Sequence, residues 1–273
     1  MKRRPSTRVP EIAIAAGARR KGHRIVPEET PVALTYNRIS HAVMMATPAD
    51  LEDFAIGFSL AERVVERADE IEQFEVIERD IGIELRMWIG KDRIDLYSDR
   101  RRHLTGATGC GLCGMESLEE TMRPAPTVST GLTVTPAMIS DAIAAMPPGQ
   151  KLNHETRAVH AAAFWMPGQG ILALREDVGR HNALDKLAGA LARQGVTGSA
   201  GVVLLTSRVS VEMVQKAAIL GAAILVAVSA PTALAIRTAE AAGVTLIAIA
   251  RGRDFEIFTH PARVRDAEAR HVA

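Results

Sequence analysis

Val202–Leu205 (VVLL), Val211–Leu220 (VEMVQKAAIL), Ile224–Val228 (ILVAV), Ala233–Ala242 (ALAIRTAEAA) and Thr245–Ile249 (TLIAI) follow one another with short connectors. The first, third and fifth runs are brief and apolar throughout, as parallel strands covered on both faces must be. The second and fourth carry apolar residues at helical spacing, so strand and helix alternate as in an open α/β sheet. Phe255–Phe258 adds a candidate edge strand. Sheets of this kind bind ligands beyond the carboxyl ends of their strands. The turns there read Thr206-Ser207-Arg208-Val209-Ser210, Ser229-Ala230-Pro231-Thr232 and Ala250-Arg251-Gly252-Arg253-Asp254. The first two open helices, whose amino termini offer unpaired N–H groups, and arginine adds bidentate anion contacts. One edge of the sheet is equipped for a phosphorylated, nucleotide-like ligand.

Upstream, Val159–Met166 and Ile171–Arg175 read as a hairpin across Pro167-Gly168-Gln169-Gly170. A helix with Leu184, Leu187, Ala188 and Leu191 on one face follows it. Thr135-Pro136 starts a further helix, Ala137–Met146, which Pro147-Pro148-Gly149 ends. Before it the pattern differs. Val32–Tyr36 and Ser40–Met45 form a second candidate hairpin around Asn37-Arg38, and Thr47-Pro48-Ala49-Asp50 looks like a capped helix start. Leu51, Phe54, Ala55 and Phe58 supply that helix with an apolar stripe. Phe74–Ile77, Ile83–Ile89 and Arg93–Tyr97 read as strands. The expected organisation is a mobile basic arm over 1–24, a small α+β roll over 25–125, and a larger αβα domain over 126–273. The Met44-Met45 pair, Phe54 and Phe58 are expected in packing, and His160 as a core histidine.

Composition narrows the function. The 273 residues are 47% hydrophobic and 24% charged, the balance of a globular chain. Lys+Arg number 33 against Asp+Glu 32, a net charge of +1, so nothing global favours nucleic acid or an anionic membrane. Any basic function must be local. No export signal is evident: Ile12–Ala18 is too short an apolar core and runs into Arg19, Arg20 and Lys21. The longest apolar run, Ala217–Ala230, is broken by Gly221 and is shorter than the roughly 20 residues of a membrane helix. A cytoplasmic protein is expected.

The two cysteines, Cys110 and Cys113, lie in a loop that runs from Arg100-Arg101-Arg102-His103 through Gly106, Gly109, Gly111 and Gly114. Structural zinc requires four ligands, so His103, His160 or His181 would have to complete the set. A thioredoxin-type dithiol places its first cysteine at a helix start, whereas this pair sits among glycines. A zinc nucleobase deaminase needs a His/Cys-x-Glu motif ahead of the cysteines; His160 lies after them and position 162 is Ala. Sulfur relay through a cysteine persulfide needs a thiol of lowered pKa, with Arg100, Arg101, Arg102 and His103 as candidate cations, and a loop with reach.

Thr108-Gly109-Cys110-Gly111-Leu112-Cys113-Gly114 resembles the signature of the formate dehydrogenase accessory sulfurtransferase family, FdhD/NarQ. Matches continue in order through Val159-His160-Ala161-Ala162, Glu176–Lys186, Arg208–Val214 and Ser229-Ala230-Pro231-Thr232. The resemblance implies a sulfur carrier. Such a protein takes persulfide sulfur from a cysteine desulfurase to the molybdenum cofactor in its bis(molybdopterin guanine dinucleotide) form before insertion into formate dehydrogenase. It also implies a cytidine-deaminase-like large domain, a homodimer, Cys110 as persulfide carrier with Cys113 assisting, and no metal held by the protein itself. Cofactor contacts are expected at Ile249, Ala250, Arg251, Gly252, Arg253 and Asp254, with Arg208, Arg251, Arg253 and the helix starts at Ser210 and Thr232 holding phosphates. A guanine nucleotide such as GDP would mimic the cofactor. The alternative is a non-catalytic chaperone that binds the cofactor and delivers it. Two positions depart from the family pattern: Arg157-Ala158 stand where glycines precede Val-His, and Ser207 stands where glycine precedes Arg-Val-Ser. Within Glu176–Lys186, two readings stay open. Asp177, Arg180, His181 and Asn182 form a ligand cluster, or Asn182 caps the helix while Asp177 and Arg180 pair.

Overall fold

The computed structural model describes residues 3–94 and 123–265, and three sheets organise these described residues. The first is a two-stranded hairpin, β1 (Ser6–Ala15) and β2 (Ala18–Pro27), in continuous register from Ser6 opposite Pro27 to Ala15 opposite Ala18. Ala16 and Gly17, at φ 49 and 80, make the left-handed two-residue turn that suits strand twist. The stretch expected as a mobile basic arm is therefore regular β structure. Its charges hid a β pattern: Thr7, Val9, Ile12, Ile14, Ile25 and Val26 are strand formers, and Lys21 and Arg19 lie opposite Ile12 and Ile14 rather than opposite other cations.

The second sheet has the order β4-β3-β6-β5. Its strands are β3 (Thr30–Tyr36), β4 (Ile39–Ala46), β5 (Ile71–Arg79) and β6 (Gly82–Ile89). Asn37 and Arg38, both at positive φ, turn β3 into β4 as the sequence suggests. Helix α1 (Leu51–Ala61) lies on one face, where Phe54, Ala55 and Phe58 bury against Val32, Leu34, Tyr36, Leu85 and Met87. Two expectations fail here. Residues 91–94 turn as helix instead of opening a strand, with Arg93 held by Glu66 and Glu70; residues 95–97 lie outside the described residues. Met45 is exposed, because β4 is an edge strand and Met45 projects from its uncovered face.

Thr47 does not cap α1 either; Asp50, in left-handed conformation, stands at that position without a side-chain cap. The Thr47 side chain is turned inward, where its hydroxyl accepts from the Val178 N–H and its own N–H donates to Asp177 Oδ2.

The third sheet has six strands in the order β12-β11-β10-β9-β7-β8. Helix α2 (Pro136–Ala144), capped by the Thr135 hydroxyl at the Met138 N–H, and α3 (Lys151–Thr156) precede the hairpin of β7 (His160–Met166) and β8 (Gly170–Asp177). Then come α4 (Arg180–Arg193), β9 (Val202–Leu205), α5 (Val211–Ile219), β10 (Ile224–Ala227), α6 (Ala233–Ala242), β11 (Thr245–Arg251) and β12 (Asp254–Ile257). β9, β10 and β11 are parallel; β12 runs antiparallel beside β11 and β7 antiparallel beside β9. Strand residues alternate between two cores. Phe164, Val203, Leu205, Leu225 and Leu246 meet α4, α5 and α6, whereas Trp165, Leu204, Val226 and Ile247 meet α2. That is the three-layer αβα arrangement expected from the apolar strands. No helix among the described residues is long and apolar enough to cross a membrane.

The two larger sheets meet where α1 crosses α4. Gly57 faces the Asp185 carbonyl and Gly189 faces the Asp53 carbonyl so closely that a Cβ on either would collide with backbone. Asp53, almost fully buried, ties the crossing by accepting from Arg175 at 2.7 Å and Arg193 at 2.9 Å.

Candidate functional site

The carboxyl ends of β9, β10 and β11 open on one edge of the six-stranded sheet, and β8 ends there too because it runs antiparallel to β7. Helices α4, α5 and α6 all begin at this edge. Their unpaired N–H groups and positive dipole ends therefore point the same way. Neighbouring turns are stitched by backbone bonds: Val209 N–H to Ala230 O at 3.2 Å, Thr232 N–H to Val209 O at 2.9 Å, and Ile249 N–H to Ser229 O at 3.3 Å. Such cross-bonding fixes the turns before any ligand arrives, which lowers the ordering cost of binding.

Residues expected to contact a phosphorylated ligand gather here. Arg208, Thr232, Ile249, Arg251, Gly252, Arg253 and Asp254 are exposed along the edge, and Ser210 is half-buried. Ser210 stands at the start of α5 without a side-chain cap to that helix's N–H groups. The Thr232 hydroxyl does cap α6, accepting from the Ala235 N–H at 3.2 Å, which leaves its O–H free to donate toward a ligand. Ala250 is buried in the core beneath, and its contribution is confined to backbone. Ile249 is the least expected feature. It lies in the left-handed region at φ 54, beside an irregularity in the β11–β12 register between Ala248 and Arg251. A β-branched residue there stores strain, and strain of this sort collects at ligand sites. The bulge re-aims the strand end. Gly252, at φ 61, takes the first central position of the β11–β12 turn, a place that suits glycine and leaves Arg251 and Arg253 on its flanks.

The Glu176–Lys186 segment does not follow the capping reading, and only part of its candidate ligand cluster reaches the edge. Asp177 pairs with Lys186 at 2.6 Å, both with fully buried side chains, and not with Arg180. Asp177 Oδ1 also accepts from the Gly179 N–H at 2.7 Å and from Asn182 at 2.9 Å, while Asn182 donates to Met45 O at 2.8 Å. Lys186 completes the set by donating to Thr47 O at 2.9 Å. Asp177, Asn182 and Lys186 thus lock the small sheet's β4–α1 corner to the start of α4. One turn on, Lys216 donates to Asp185 at 2.7 Å beneath the Phe58 ring. Burial works against the Lys216 charge, but the Asp185 and Glu62 carboxylates hold the ammonium above its ordinary pKa.

Arg180 and His181 instead face the edge, with His160 at the start of β7 and Glu212 in the first turn of α5. His181 Nε2 is buried without a hydrogen-bond partner, 3.9 Å from the Glu212 carboxylate. Burial, then the Arg180 and Lys216 cations, pushes its pKa down to about 4. Burial and Arg180 lower His160 as well, so His160 is a half-buried, neutral residue of the edge rather than a core histidine. Burial opposes ionisation of Glu212, yet the Ser210 hydroxyl, its own backbone N–H, His181 and Arg180 hold its carboxyl below the ordinary value. A histidine whose folded pKa is depressed favours folding above its unfolded value, near 6.5, and that contribution is lost as pH falls toward 4. The expected outcome is a urea midpoint that declines between about pH 6.5 and pH 4. His181→Gln should flatten the decline, and an unchanged slope would remove His181 from this account.

The two departures from the family pattern have local explanations. Arg157 ends α3 in left-handed conformation at φ 58, the place where glycine is favoured. Ser207 is buried, and its hydroxyl donates to its neighbour Arg208 O at 3.0 Å, not to the open edge. Cys110 and Cys113, with the flanking Arg100, Arg101, Arg102 and His103, lie outside the described residues. Among the described residues, no group of three or more His, Cys, Asp or Glu is arranged to hold a metal ion.

Comparison with known proteins follows the same line. A sulfur carrier protein FdhD of Agrobacterium fabrum is 52% identical over 258 residues, covering 94% of this chain and 95% of that protein. One of Cupriavidus necator is 53% identical over 242 residues, covering 88% and 83%. Among solved structures, one described as a formate dehydrogenase accessory protein of Desulfotalea psychrophila aligns with a TM-score of 0.74 at 25% identity, covering 95% of this chain and 99% of that one. The FdhD/NarQ family pattern spans residues 27–265, so the cysteine loop, the strand-end turns and the buried lock all fall within it, and the chain belongs to that family.

Proposed function

We propose that the chain carries sulfur from a cysteine desulfurase to the molybdenum cofactor, in its bis(molybdopterin guanine dinucleotide) form, on the way to formate dehydrogenase. The observation that carries this reading is the single sheet edge where four strand-end turns meet around Arg208, Arg251 and Arg253, with the strained Ile249 among them. Such an edge suits a ligand bearing phosphates and a guanine base. The relatives' name, sulfur carrier protein, points to the chemistry of the two thiols. Within this reading the six-stranded unit is of cytidine-deaminase-like type, with Ala162 where a deaminase has its glutamate. The setting is the cytoplasm.

The transfer balances without an outside oxidant. The Cys110 thiolate attacks the outer sulfur of the donor's persulfide, the donor's S–S bond breaks, and its thiolate departs. Cys110 then carries the persulfide. Attack by Cys113 on the Cys110 sulfur would release hydrosulfide and leave a disulfide. The cofactor is cargo, held at the edge while sulfur is delivered to it.

Intact mass measurement after incubation with a cysteine desulfurase and free cysteine tests the reading. The expected result is a gain of one sulfur atom on Cys110, removed by reductant and abolished in the Cys110→Ala/Cys113→Ala double variant. In parallel, GDP should bind the wild type, and Arg251→Ala should weaken it by roughly tenfold or more, the loss of a charge-assisted contact. A chaperone that only binds and delivers would take up GDP yet gain no sulfur, and that result would overturn the proposal. Sulfur mapped to Cys113 would reverse the roles of the two thiols.

A further inference from the structure

The β1–β2 hairpin lies ahead of residues 27–265, the span of the family pattern, and nothing in the sulfur-carrier reading uses it. It joins neither of the other sheets. A free two-stranded ribbon of ten-residue strands is marginal in water, so one kept this long calls for a contact surface. Its root is tied down: Arg24 donates to Thr156 O at 3.3 Å and Ser6 to Glu155 at 3.4 Å, both on α3. The outer part projects with Ile12 53% and Ile14 67% exposed. Arg19 and Lys21 flank these isoleucines on the same face, because Ile12 stands opposite Lys21 and Ile14 opposite Arg19. Arg8, Arg19, Arg20 and Lys21 have no acidic partner among the described residues, and across both strands Glu11 is the lone acid.

We propose that this hairpin is a docking arm for an acidic, partly apolar face of the client that takes up the cofactor; the inference rests on the sulfur-carrier reading. Charge selects the occupant. Hairpin-to-hairpin pairing of two copies would place like charges together, which is unfavourable. A nucleic acid would engage the cations but leave the isoleucines unused, and the arm offers no Phe, Tyr or Trp for base stacking. Cations beside exposed isoleucines instead match a protein face with carboxylates around an apolar patch. Position selects the client over the donor. The arm's root rests on α3, which leads within a few residues to His160 at the ligand edge. A protein gripping the arm is thereby held beside the edge from which cargo leaves.

Binding of the full-length chain to the cofactor-free catalytic subunit of formate dehydrogenase from the same organism tests this. Arg19→Glu/Arg20→Glu/Lys21→Glu is expected to weaken binding at least tenfold and flatten its salt dependence. Ile12→Ser/Ile14→Ser is expected to weaken it several-fold without changing the salt slope. Both variants alter only exposed positions and should keep the wild-type melting temperature, GDP affinity and sulfur loading by the desulfurase. Unchanged client binding overturns the proposal. So does a loss confined to sulfur loading, which would make the arm a donor contact, or retention of single-stranded DNA or anionic vesicles in place of the client. Failure of GDP binding and sulfur loading in the wild type would instead sink the sulfur-carrier reading, whatever the arm does.

Discussion

Replacing Lys186 by Met is expected to cost about 3–5 kcal/mol of stability, the penalty for removing one partner of a buried ion pair. Methionine nearly preserves the length of the stem, so the change isolates the charge. In the wild type the ammonium lies 2.6 Å from Asp177 and 2.9 Å from Thr47 O, and 5.8 Å above the Phe54 ring. Without it, a fully buried carboxylate is left to the N–H groups of Thr47, Gly179 and Asn182. Those donors soften the loss but cannot neutralise the charge. Asp177→Asn alone should also destabilise, while the double variant should recover part of the loss, because the uncompensated charge is then gone. Urea midpoints of the three variants at pH 7 give the coupling directly. A single Lys186→Met change of less than about 1 kcal/mol would mean that this pair does not hold the two sheets together.

That pair also marks where the sequence could be read and where it could not. The alternation from Val202 to Ile249 was legible because apolar strands and amphipathic helices have different periods, and each run keeps its period to the end. The ligand edge followed from it, since topology alone decides which turns share one side of a parallel sheet. Thr47 was misread as a cap because the local motif is real but its hydrogen-bond partners, Asp177 and Val178, come from the other half of the chain. Local spacing carries no trace of such contacts. Asp177 and Asn182 look like ligand residues for the same reason: polar side chains at a strand-to-helix turn serve a site or a seam with the same letters. The β1–β2 hairpin was hidden by charge density. His181 falls within the Glu176–Lys186 segment, but its neutral state depends on burial beside Arg180, Lys216 and Glu212, which three-dimensional packing alone supplies.

Gly57→Ala is expected to destabilise the chain by about 3 kcal/mol or more, at or beyond the upper end of ordinary overpacking. The sign makes this test informative. In a free helix Ala is favoured over Gly by about 1 kcal/mol, so local propensity predicts a gain. A loss therefore has to come from the crossing of α1 and α4, where the new methyl group meets the Asp185 carbonyl and the Gly189 backbone, neither of which can swing aside as a side chain would. Gly189→Ala should act alike through the Asp53 carbonyl. Because each large sheet has its own hydrophobic core, separation at the crossing need not melt either one. Unfolding followed by urea should then split into two transitions in these variants where the wild type shows one, with amide exchange rising first in α1 and at the start of α4. If Gly57→Ala instead matches or exceeds wild-type stability, the helices do not meet at backbone distance, and the buried lock around Asp177 must act without that close approach.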